Sequence, residues 1–139
     1  MKIKALLLIP LLAVTLACPS SSTQKLATAS DAIAHGLVNA DAAANQAAVS
    51  GVITPADWEN FHGLLVKVSQ AGMVLDQGIR ANEAAATLSL KVNSFLDAFN
   101  ALNTQGLDGI KDQNTKLAIS TILTGAETSV AIIAAAVGK

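Results

Sequence analysis
Between residues 58 and 79 the side chains Trp58, Phe61, Leu65, Val68, Gly72, Leu75 and Ile79 follow one another at steps of three and four without a break. An α-helix turns once in about 3.6 residues, so this spacing lays the whole set along one face of a single rod. A strand, with its period of two, cannot bury such a set on one side. Just ahead of it, Thr54-Pro55-Ala56-Asp57 offers a hydroxyl N-cap, a proline at the first helical position and an acid in the first turn. This part of the chain is committed to a long amphipathic helix whose apolar face needs partners.

The partners are legible on either side. Leu26, Ala29, Ile33, Gly36, Ala40, Ala43 and Ala47 form an earlier stripe, with Leu37 and Ala44 beside it, ended by Ser50-Gly51. It is built mainly of Ala and Gly, which lets helix axes approach closely at the expense of apolar area. Residues 82–86 lack a large apolar group and fit a chain reversal. Leu88, Val92, Phe95, Phe99 and Leu102 make a third stripe, which Asn103-Thr104-Gln105-Gly106 is expected to end. Asp108 is placed to cap a fourth helix with the stripe Ile119, Ile122, Ala126, Val130, Ile133 and Val137. Four amphipathic segments joined by short links predict an all-α, up-and-down four-helix bundle spanning residues 24–139. The alternative is a three-helix bundle in which residues 55–104 form one long rod. At 139 residues the chain is sized for one domain. Trp58, Phe61, Phe95 and Phe99 are expected to form the bulky aromatic layer of its core.

Residues 117–138 carry one charge, Glu127, and have the length of a membrane span. Eight large aliphatic residues in this window each favour insertion by about 0.3–0.6 kcal/mol, while one central acidic group opposes it by roughly 2.5–3.5 kcal/mol. Five hydroxyl residues weaken the balance further, so the segment is read as a core helix. The other readings are a true span, or an apolar face used for self-association through Gly125 and Ser129.

The amino-terminal residues follow a different logic. Lys2 and Lys4 precede an apolar run, Ala5 to Val14, that is too short to cross about 30 Å of hydrocarbon and reads as an export signal. It closes with Val14-Thr15-Leu16-Ala17-Cys18, where a small residue precedes the only cysteine of the chain, and Pro19-Ser20-Ser21-Ser22 follows. This junction resembles the lipobox of bacterial lipoproteins, with Thr15 and Leu16 standing where that class prefers Leu and then Ala or Ser. The resemblance implies cleavage before Cys18, a diacylglyceryl group on its thiol, and acylation of the new amino terminus. It divides the chain into a signal peptide at 1–17, a lipidated tether at 18–23 and the helical domain. Pro19 is not the aspartate that the class uses in some bacteria for inner-membrane retention, so the resemblance favours the outer membrane. The other readings of Cys18 are a coincidental cysteine after an ordinary signal peptide, or a buried core thiol.

Composition restricts the partners. Without the first seventeen residues the chain holds 7 basic and 10 acidic residues, a net charge of −3. Such a surface is not drawn to anionic headgroups by charge, which leaves a covalent lipid as the membrane attachment. With no basic run and 3% aromatic residues the chain lacks the electrostatic and stacking surfaces that bind nucleic acid.

Motifs for chemistry are sparse. Glu59 and His62 have the Glu-x-x-His spacing of a di-iron bundle, but that pattern takes two such pairs and two further glutamates, whereas the chain has only Glu59, Glu83 and Glu127 and no second Glu-x-x-His, and Glu59 is expected to face solvent. His35 follows Asp31 by four residues, a spacing for a helical contact. No nucleophile elbow or phosphate-binding glycine loop occurs, and Gly106-Leu107-Asp108-Gly109 reads as a turn and helix start. The sequence therefore predicts a non-catalytic protein without a cofactor or bound metal. It would be anchored through Cys18 and act by packing against envelope proteins or a second copy of itself. Two rival readings are a carrier holding a small apolar ligand among the four aromatic residues, and a prophage-type exclusion or lysis lipoprotein.

Overall fold
The computed structural model describes residues 22–138, and among these the chain is all helix and loop. Four long helices, α1 (Ser22–Val49), α2 (Pro55–Arg80), α3 (Ala85–Ala101) and α5 (Gln113–Ala136), form the expected up-and-down bundle. A single turn, α4 (Leu107–Gly109), lies between the last two. α1 packs most extensively on α5, α2 sits between α1 and α3, and α3 meets α5 more sparingly. Cys18 and the rest of the proposed signal and tether up to Ser21 lie outside the described residues. Ser22 and Thr23, assigned to the tether from sequence, belong instead to the first turn of α1. Their polarity gave no apolar period to read, yet a helix terminus needs none.

The helix ends show why the links are where they are. α1 stops in a Schellman motif: Gly51 takes φ +74°, its N–H donates to the Ala48 carbonyl, and the Val52 N–H donates to Ala47. Ile53 is then buried, which tucks the link against the core. Thr54 caps α2 by accepting from the Asp57 N–H at 3.1 Å, and its own hydroxyl donates to the Asp57 carboxylate at 2.7 Å. α2 ends in a second Schellman motif with Asn82 at φ 54° in the left-handed position. That reversal falls inside the expected 82–86 stretch and excludes one rod over 55–104.

Two expectations about the third link are corrected. Asn103 to Gly106 do not end α3: residues Leu102–Gly106 continue it as a π-helical turn into α4. The Leu107 N–H donates to the Leu102 carbonyl, five residues back. Leu102 and Leu107 are both buried across this wider turn, whereas the α-helical register would rotate them apart. Gly106 is required by close approach, because a Cβ there would lie 3.1 Å from Leu102 and 3.2 Å from Phe61. The cap of the last helix is Asp112, not Asp108; its carboxylate accepts from the Thr115 N–H at 2.7 Å. Asp108 lies in α4 and pairs with Lys116 at 2.7 Å.

The core follows the stripes. Ile33, Leu37, Ala40 and Ala44 of α1, Phe61, Leu65, Val68, Leu75 and Ile79 of α2, and Leu88, Val92, Phe95 and Phe99 of α3 are buried together. α5 contributes Ile119, Leu123, Ala126, Val130 and Ile133; Leu123 takes the inward place expected of Ile122, which is half-buried. α5 is long and apolar enough to cross a membrane by length and composition, but this stripe is spent on α1. A Cβ on Gly36 would come within 3.1 Å of the Ala126 Cβ, which shows how closely α1 and α5 approach. Gly125 is open to solvent while Ser129 is buried, so these two do not form one exposed self-association patch.

Candidate functional site
The aromatic layer assembles only in part. Phe61, Phe95 and Phe99 are fully buried, with the Phe95 and Phe99 rings 5.8 Å apart. Trp58 is half-buried and belongs to the rim, because the first turn of α2 lies at the end of the bundle. Its indole stacks on His62 at 5.0 Å, and its Nε1 is buried without a hydrogen-bond partner among the described residues.

His62 reaches across to α1, where its Nδ1 lies 2.8 Å from the Asp41 carboxylate. Glu59 is exposed, as its place opposite Phe61 requires. Among the described residues no group of three or more His, Cys, Asp or Glu is placed to hold a metal ion. His35 is exposed, and Asp31, its possible helical partner, is engaged elsewhere.

That engagement lies at one end of a groove between α1 and α2. Arg80 donates through one terminal nitrogen to Asp31 at 2.7 Å and through Nε to Asp76 at 2.8 Å. The Arg80 hydrogen bond holds the Asp76 carboxyl below the ordinary carboxylate range against the opposing effect of burial, and the Ser30 hydroxyl adds to the lowering. The same contact with Asp76 raises Arg80 above its ordinary value. The second oxygen of Asp76, Oδ1, is buried and is not met by Arg80, with the Ser30 hydroxyl standing beside the carboxyl. Beyond it the groove widens to about 440 Å³. Ile33, Leu37 and Leu75 line its inner side with Phe95 beneath, while Val38 and Met73 stand exposed at its mouth.

The groove exists because small residues face each other across this seam. Gly72 has no side chain to fill the gap, and the Phe95 ring lies against it at 3.4 Å from where a Cβ would be. Sequence periodicity found Gly72 and Phe95 on their stripes but treated them as filled core. Of the four aromatic residues only Phe95 reaches the groove. The Asp76 and Arg80 contact was legible as an i, i+4 pair; the contacts of Asp31 and Asp41 with α2 needed the helix pairing first. The chain matches no protein-family model, and neither the curated proteins nor the solved structures contain a significant match.

Proposed function
We propose that this chain is a lipid-anchored protein of the bacterial envelope, acting without catalysis as a helical interaction module. The observation that carries the reading is the Ala17-Cys18 junction at the end of an export-type signal, only a few residues ahead of the first turn of α1. Two or more acyl chains on Cys18 suffice for stable anchoring, at about 0.8 kcal/mol per buried CH₂. Pro19 favours the outer membrane as the destination.

The bundle gives such an anchor a direction. The Thr23 hydroxyl donates to Asn82 at 3.1 Å, so the start of α1 lies beside the link between α2 and α3. A lipid on Cys18 turns that end toward the bilayer. The far end, formed by the α1–α2 link and the start of α5, then points away and carries exposed Val49, Val52 and Leu117. Apolar side chains there suit a protein partner. The polar groups that meet inside the described residues, Asp41 with His62 and Asp31 with Arg80 and Asp76, tie one helix to another, which supports a scaffold role.

Fractionation of cells making the Cys18→Ser variant tests the reading. The protein is expected to leave the membrane pellet while keeping its helical circular dichroism. Retention in the pellet after carbonate washing would overturn the lipid anchor and point to α5 as the attachment.

A further inference from the structure
We propose that the groove between α1 and α2 is a binding site for a small amphipathic cation, with an apolar body against Leu37, Met73 and Phe95 and a protonated amine on Asp76. The inference is independent of the anchoring of the chain. Its volume of about 440 Å³ lies within the usual range for small-molecule sites, roughly 300–1,000 Å³. The lining is mainly apolar, and the exposed Val38 and Met73 at its mouth are side chains that a ligand would cover.

Charge selects the head group. Two carboxylates, Asp31 and Asp76, face a single guanidinium at this end, which leaves one negative charge unbalanced. Arg80 satisfies Oδ2 of Asp76 but not the buried Oδ1, and the Ser30 hydroxyl beside the carboxyl is neutral and brings no compensating charge. A hydroxyl leaves the carboxylate's charge uncompensated, whereas an ammonium group supplies both a strong donor and the opposite charge. An anion would instead meet two carboxylates, and a neutral apolar molecule would leave their excess negative charge unbalanced. Arg80 holds Asp76 in its ionised form at neutral pH, so the acceptor is ready before a ligand arrives.

The test is a titration of the purified full-length protein with 4-phenylbutylamine, read by amide chemical shifts, beside the matching alcohol and carboxylate. The expected result is saturable shifts at Ala34, Val38, Gly72 and Met73, with the amine bound more tightly than the alcohol and the carboxylate not bound. Asp76→Asn should weaken the amine by about tenfold and leave the alcohol unchanged, the loss of one charge-assisted hydrogen bond. Ala34→Phe, which keeps Asp76 and fills the groove, should abolish both, and it serves as the deciding variant if Asp76→Asn fails to fold. Absence of saturable shifts in the groove overturns the proposal. Equal binding of amine, alcohol and carboxylate overturns it as well, as does unchanged amine affinity in both variants.

Discussion

Gly63 and Gly78 stand on the same helix and each lowers its intrinsic propensity, yet their surroundings separate them. Nothing lies within 4 Å of a Cβ built on Gly63, so Gly63→Ala should stabilise the protein by up to about 1 kcal/mol. Gly78 is buried beneath the Glu83–Lys91 ion pair, with the Glu83 carboxylate 2.7 Å from the place of a Cβ. Gly78→Ala should therefore raise the urea midpoint less than Gly63→Ala does, because the Glu83–Lys91 pair has to shift to admit the Cβ. Chain position alone could not distinguish them, because the difference comes from the link that folds Glu83 back over α2. The aromatic residues divide in the same way. Phe61→Ala should cost about 3–5 kcal/mol as a buried ring, and Trp58→Ala roughly 1–2 kcal/mol as a rim residue. The stripe placed both on the inner face but carried no information about where the bundle ends. Acid should act through Asp76 and Asp112, whose carboxyls are lowered chiefly by the Arg80 hydrogen bond and the Thr115 N–H respectively. A carboxyl lowered by folding stabilises above its unfolded value near 4 and loses that contribution as pH falls through the folded one. Urea midpoints should hold from pH 7 to about 5 and fall below about 4, with a shallower fall in Asp76→Asn.

Helix boundaries were legible where their causes are local. Thr54, Pro55 and Asp57 act within one turn, and Thr54→Ala should cost about 1 kcal/mol in a urea titration through loss of the 3.1 Å cap bond. Gly51 ends α1 as a left-handed residue that the Ser50-Gly51 pair signals directly, whereas the left-handed Asn82 settles an end of α2 that the sequence left open between a reversal in 82–86 and one rod over 55–104. The end of α3 was misread because its cause is distant. Gly106 resembles a helix stop, but its role is to admit Phe61 and Leu102, and the burial of Leu107 keeps the chain winding. Asp108 and Asp112 both precede helical residues, and which of them caps depended on where that π-helical turn released the chain. At the α1–α5 seam, Gly36→Val would push two methyl groups against Ala126, so a loss of about 1–3 kcal/mol is expected from overpacking.

For the whole molecule, the four stripes and the short links between them were enough to specify the bundle, since each apolar face is covered by the helices that the links bring beside it. The groove was not legible in the same way. It arises where two helices present small residues at one level, a relation between segments some forty residues apart that periodicity within either does not express. The anchor is the reverse case, read wholly from the residues before α1. In the proposed function the bundle is a passive body whose place in the cell is set by a lipid on Cys18 and whose far end is free for a partner. The intact mass of the protein as made in bacterial cells addresses that claim most directly. A chain beginning at Cys18 and carrying diacylglyceryl and amide-linked acyl groups is the predicted result; a chain retaining residues 1–17, or one bearing an unmodified thiol, would contradict it.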